Sequence, residues 1–153
     1  MGLALEQARL AVQAGEVPVG AVVMLGEQVL AVGRNECVIR RDPTAHAELL
    51  AVQRALATVG NDRLPDCTLY VTLEPCAQCA GAIVLAKLGR VVYGADDPKA
   101  GMAGSVGDLL RHPALNHRPE VLAGVLRTEA AELLKHFFAE RRALAADPVP
   151  PGV

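Results

Sequence analysis

Two short stretches constrain this chain more than any others: Thr-Ala-His-Ala-Glu at 44–48 and Glu-Pro-Cys-Ala-Gln-Cys at 74–79. Together they supply one imidazole, two thiols and a carboxylate to spare, the inventory of a catalytic zinc site. His46, Cys76 and Cys79 would take three corners of a tetrahedron and leave the fourth to water. Glu48 would not bind metal; it would handle the proton that zinc makes easy to remove from that water. Redox motifs and zinc ribbons also use C-x-x-C. A ribbon, however, wants a second such pair or a matching pair of ligands, and this sequence has neither.

A chain of 153 residues is one domain's worth, and a single domain over 1–146 is expected, with 147–153 as a disordered proline-rich tail. Hydrophobic residues make up 52% but aromatics only 3%, so the core must be built from Ala, Val and Leu. A net charge of −2 gives no global attraction to nucleic acid, and any RNA binding has to come from a local patch. The start, Met1 to Ala8, has neither the basic residues nor the apolar run of a signal peptide. No apolar stretch approaches the roughly 18 residues of a membrane span. Four cysteines, two of them in C-x-x-C, fit a reducing compartment and a metal better than a disulfide scaffold. A cytoplasmic protein is expected.

Taken in order, 3–14 reads as a helix, 17–25 and 29–33 as a hairpin, and 34–45 as a polar connection. Pro18 belongs at a strand start or edge. Asp42 or Thr44 is the expected N-cap of the next helix, which Gly60 ends, so His46 and Glu48 fall in its first turn. Residues 67–73 form the strongest strand, β-branched and apolar enough to be central. Pro75 should open the following helix at its first position, placing Cys76 and Cys79 on one side. Residues 80–86 are apolar all round and predict a buried helix. A strand at 90–95 completes a parallel βαβ unit. A glycine-rich loop at 96–107, a strand at 120–125 and a helix at 127–145 finish the chain. The fold class is α/β: a three-layer α/β/α sandwich on a five-stranded mixed sheet, with both candidate metal-binding helix tips at one end.

The pattern H-x-E followed by P-C-x-x-C resembles the zinc-dependent nucleoside and nucleobase deaminases, of cytidine-deaminase-like fold. The likeness extends to Val17–Val22, Asn35, Asp42–Glu48, Thr68–Gly81, Gly89–Lys99, Gly104–Arg118 and Phe137–Arg142, and over roughly 4–142 it is similar to the bacterial tRNA-specific adenosine deaminases. That resemblance implies conversion of a wobble adenosine to inosine in a tRNA anticodon, of arginine-tRNA type. It also implies one zinc ion per chain and a homodimer whose active sites borrow residues from the partner. By the same resemblance Glu48 shuttles the proton and Asn35 contacts the flipped nucleotide. Asp97 would touch the sugar before the target base, and Phe137, Phe138, Arg141 and Arg142 would hold the anticodon loop.

Plain readings stand beside these. Phe137 and Phe138 would otherwise be core residues. Arg141 and Arg142 could be a solvated helix end, and Asp97 a turn residue. Cys37 and Cys67 read as structural thiols, and His112 and His117 as surface or capping groups unless they meet RNA. Two rival functions share the motif: a deaminase of free guanine, cytosine or a nucleoside, and a non-catalytic zinc-containing RNA-binding subunit. The second should have lost Glu48. Relative to the family, the sequence begins almost at its first helix and ends in a proline-rich tail without a basic extension, departures that bear on tRNA affinity and not on chemistry.

Overall fold

The computed structural model describes residues 1–146; the tail expected at 147–153 lies outside the described residues. Helix α1 (Gly2–Gln13) precedes a hairpin of β1 (Gly20–Leu25) and β2 (Gln28–Arg34). A short α2 (Cys37–Arg40), α3 (Ala47–Val59), β3 (Cys67–Leu73) and α4 (Ala77–Leu85) follow. β4 (Arg90–Ala95), β5 (Glu120–Leu122) and α5 (Arg127–Ala146) close the chain. The strands form one five-stranded sheet in the order β2-β1-β3-β4-β5. β1 is antiparallel to both β2 and β3, while β4 is parallel to β3 and β5 to β4, so the sheet is mixed as expected. The strand read as central, β3, is the middle one, and α4 is the crossover that its parallel pairing with β4 requires.

Helices cover both faces. Ala47, Ala51 and Ala55 of α3, with Ala80 and Ile83 of α4, pack on Ala21, Val23, Leu69, Val71 and Val91 to form the main core. Burying each Val or Leu there contributes about 2 kcal/mol. The small side chains let helix and sheet approach closely. At Gly33 a Cβ would lie 2.2 Å from the Ala47 carbonyl oxygen, so only glycine admits the start of α3 at this height. On the other face α1 and α5 lie side by side, and Leu5, Ala95 and Ala130 make a smaller cluster.

Several boundaries differ from the sequence reading, each because a distant group intervenes. The connection at 34–45 contains α2, whose Val38 and Ile39 amides both donate to the buried Glu16 carboxylate at 2.8 Å. Neither Asp42 nor Thr44 caps α3: His46 holds the N-cap position. The Asp42 carboxylate instead accepts the Thr44 amide and hydroxyl in a local turn. Pro75 is not the first residue of α4, which starts at Ala77 with Cys76 as N-cap. The Pro75 carbonyl accepts the Met102 amide at 2.8 Å and Cys76 bridges to Gly101, so the 96–107 loop keeps this stretch extended. Helix α4 buries only one side; Leu85 is 78% exposed. β5 is three residues rather than six, as an edge strand with a single neighbour.

Candidate active site

The register places Arg34 opposite Gly20 and Leu73 opposite Ala95, so β2, β3 and β4 all end at one edge of the sheet. Open α/β sheets bind their ligands outside such strand ends. Asn35 follows β2, Glu74-Pro75-Cys76 follows β3, and Asp96-Asp97 follows β4. Helices α3 and α4 begin here too, and their N-terminal dipole ends favour negative charge.

At the tips of those helices the His46 Nδ1 lies 3.5 Å from the Cys76 Sγ and 3.6 Å from the Cys79 Sγ. All three donors fall within 4.8 Å of one another, a group able to hold a metal ion. The Gln78 side chain ties the tips together by donating to the Thr44 carbonyl at 2.9 Å. A hydrogen bond from the Cys79 thiol, opposed by burial and assisted by His46, draws the Cys76 thiol down to about 3. That same shared hydrogen bond, then burial, pushes Cys79 upward. The hydrogen bond with Cys76 in turn raises His46, against the lowering effect of its burial.

Glu48 stands beside this group, only 4% exposed. Burial raises its carboxyl to about 7, against the pull of its backbone hydrogen bond, with the Cys76 charge adding to the rise and His46 opposing it. A carboxyl poised there can accept and release a proton near neutrality.

Asn35, His46, Glu48 and Cys76 line a cavity of about 740 Å³, within the roughly 300–1,000 Å³ of small-molecule sites. Asn35 is nearly buried, and its Oδ1 accepts the Ala47 amide at 3.0 Å. It therefore satisfies the first turn of α3 while facing the cavity. Asp97 lines the same cavity, its carboxylate accepting the Lys99 and Ala100 amides at 3.0 and 3.2 Å.

Helix α5 divides the Phe-Phe-x-x-Arg-Arg ending between two tasks. Phe138 and Arg142 line the cavity; Phe137 and Arg141 do not. Phe137 is 7% exposed, and the Arg141 guanidinium sits 5.1 Å over its ring while donating to the Gly15 carbonyl at 2.5 Å. Residues four apart share a helix face, so 141 lies over the buried 137 on the face toward Gly15, while 138 and 142 line the cavity. His112 and His117 do not line the cavity: the first accepts the Ala114 amide, and the second meets the Leu88 carbonyl at 2.6 Å.

Four charged lining residues escaped the sequence reading: Glu74, Asp96, Lys99 and Lys135. Lys135 was findable, since it lies three residues before Phe138 on the same helix face. Glu74 sits in the E-P-C run, and a carboxylate ending an apolar strand was its signal.

The sequence model of MafB19-like deaminases matches residues 1–142. The chain is 44% identical over 142 residues to a tRNA-specific adenosine deaminase of Agrobacterium fabrum, covering 93% of each protein. It superposes on a structure from work on A-to-I editing by tRNA:A34 deaminases with a TM-score of 0.84 at 44% identity, covering 88% of this chain and 97% of that one. A guanine deaminase from Nitrosomonas europaea aligns with a TM-score of 0.79 at 26% identity, over 90% of this chain and 82% of that one. With three donors clustered beside a buried carboxylate, and a family match over nearly its whole length, the chain belongs to the MafB19-like deaminase family.

Proposed function

We propose that this protein hydrolytically deaminates the wobble adenosine of a tRNA anticodon, of arginine-tRNA type, to inosine. The observation that carries the reading is one cavity that joins His46, Cys76 and Glu48 to Phe138 and Arg142. The inner end has what hydrolysis needs, and the outer end has what an unpaired RNA loop needs: an aromatic face and a cation. The relatives named as tRNA-specific adenosine deaminases support the same substrate.

The donor set fits one zinc ion held by His46, Cys76 and Cys79. Zn–N near 2.05 Å and Zn–S near 2.3 Å at a tetrahedral angle would separate nitrogen from sulfur by about 3.5 Å, and the chain already holds them at 3.5 and 3.6 Å. When bound, zinc makes a water acidic enough to attack at neutral pH. Glu48 would take a proton from the attacking water and deliver it to N1 of the purine as the C–O bond forms at C6. It would then move the proton of the new C6 hydroxyl to the amine, which leaves as ammonia with its bonding pair while C6 becomes a carbonyl, so adenosine and water become inosine and ammonia. Asn35 orients the splayed nucleotide and Asp97 the sugar before it. Phe138 stacks on an unpaired base and Arg142 meets phosphate, with Phe137 and Arg141 holding α5 in place beneath them.

The protein acts as a single domain over 1–146, in the cytoplasm where tRNA is found. The described residues contain no helix long and apolar enough to cross a membrane. It works as a homodimer, for which the outward apolar face of α4 around Leu85 is the candidate contact.

The likeness to a guanine deaminase supports a second reading, a free-base substrate, under which Phe138 and Arg142 would have no task. A non-catalytic RNA-binding subunit would have no use for a buried Glu48 facing the cavity. Incubation with an ACG-anticodon arginine tRNA, and separately with free adenosine, cytidine and guanine, decides between them. Inosine in the tRNA alone, abolished by Glu48→Ala, is the expected result; ammonia from a free base with untouched tRNA would overturn it.

A further inference from the structure

Glu74 is a buried carboxylate, 1% exposed, that neither binds metal nor shuttles a proton in the scheme above. It accepts four hydrogen bonds, all from the 96–107 loop. Oε1 takes the amides of Ala103 and Ser105, both at 3.0 Å. Oε2 takes the Asp97 amide at 2.9 Å and the Ser105 hydroxyl. Its own amide donates to the Ala95 carbonyl at 2.8 Å. The loop lies directly against it: a Cβ on Gly101 would fall 2.3 Å from the Glu74 carboxyl carbon and 2.6 Å from the Asp97 carbonyl oxygen. Cys76, two residues on, bridges to Gly101 and carries one of the candidate ligands.

We infer that Glu74 is a positioning residue for substrate: its carboxylate fixes the Asp97 backbone at a set place relative to the Cys76 end of the catalytic cradle. This rests on the reading of Asp97 as a nucleotide contact. Beside the backbone ties of Pro75 to Met102 and Cys76 to Gly101, the Glu74 carboxylate is the side chain that holds the Asp97 amide itself, and so it helps set the distance from the reacting base to the preceding sugar.

The chemistry of the isostere makes the inference testable. A glutamine at 74 can keep its carbonyl on the Ala103 and Ser105 amides, and its NH2 can donate to the Ser105 hydroxyl oxygen. The Asp97 amide then faces an NH2 group, donor against donor. Glu74→Gln therefore releases Asp97 while preserving the other three bonds. Ser105→Ala is a milder variant with the carboxylate intact, and Gly101→Ala displaces the loop from the other side.

Four readouts are needed: bound metal per chain, kcat and KM on an anticodon stem-loop, the same constants for Asp97→Ala with and without Glu74→Gln, and amide hydrogen exchange at Asp97. The expected result for Glu74→Gln is a KM raised on the order of tenfold, with kcat and metal content unchanged and faster exchange at Asp97. Gly101→Ala should reproduce the KM change and Ser105→Ala a smaller one. The Glu74→Gln/Asp97→Ala pair should be no worse than Asp97→Ala alone, since both act through one contact. A fall in kcat that tracks lost metal, strictly additive effects, or unchanged Asp97 exchange would each overturn the inference. Wild-type protein that makes no inosine sinks the substrate reading instead, while the exchange experiment still decides whether Glu74 holds Asp97.

Discussion

The two walls of the cavity are made differently. The inner wall, His46, Glu48 and Cys76 with the buried Cys79 beside them, sits at the starts of α3 and α4, helices that pack on the main core. The outer wall is α5, which packs through a small cluster of Leu5, Ala95 and Ala130 and the buried Phe137, and the 96–100 stretch, whose Asp97 amide is held by Glu74. Phe138, at the opening, is 44% exposed. The contrast follows from the tasks. Chemistry at a few atoms needs donors held rigidly in a place shielded from water. An RNA loop needs surface that is reachable and wet until the substrate covers it. The inner wall should accordingly tolerate no substitution, and the outer wall should lose affinity in steps.

The sharpest way to break that contrast is to attack the inner wall. Cys79→Ala should lose bound zinc and all activity, read by metal analysis and inosine formation; activity with zinc absent would refute the ligand assignment. Glu48→Ala should keep its zinc yet lose kcat by a factor on the order of 10³. A loss of metal with that variant would mean Glu48 supports the ligands rather than moving protons.

On the outer wall the effects should separate by helix face. Phe137→Ala should cost about 3 kcal/mol of stability in denaturant unfolding, with KM measured on the surviving folded protein nearly unchanged. Phe138→Ala should leave stability alone and raise KM for the stem-loop on the order of tenfold, as expected for a lost stacking partner. Equal effects of the two on KM would show that the split of α5 is wrong. Arg142→Ala should weaken binding only a few-fold and flatten its salt dependence by roughly one phosphate's worth. Smallest of all, Arg141→Ala should lower the melting temperature by a few degrees, through the lost Gly15 bond and ring contact, without altering kinetics.

Much of the fold was readable in the chain because the signals are local. The β-branched run at 67–73 is the central strand, and the segment ended by Gly60 is a helix. The residues of the inner wall were readable for a related reason. Groups gathered at the start of a helix must sit at short spacings, so C-x-x-C, and a His two residues before the Glu that serves beside it, are visible in one dimension. The errors cluster where a side chain from elsewhere replaces a local partner. Asn35 rather than Asp42 or Thr44 meets the first amide of α3, and Glu16 turns part of an expected loop into α2.

The sequence by itself determined which chemistry this protein can hold: an imidazole, two thiols and a carboxylate, each beside the start of a helix. Tertiary structure alone decided how that chemistry meets a substrate. Phe137 and Phe138 are indistinguishable as letters, but the packing of α5 buries one and turns the other to the cavity. Arg141 is tied to the carbonyl of Gly15, 126 residues away, a partner that no neighbouring letter announces. Glu74 acquires its role from amides 23 to 31 residues downstream. A buried polar group must find a partner wherever the fold offers one, and which partner is near is a property of the folded chain, not of the neighbouring residues.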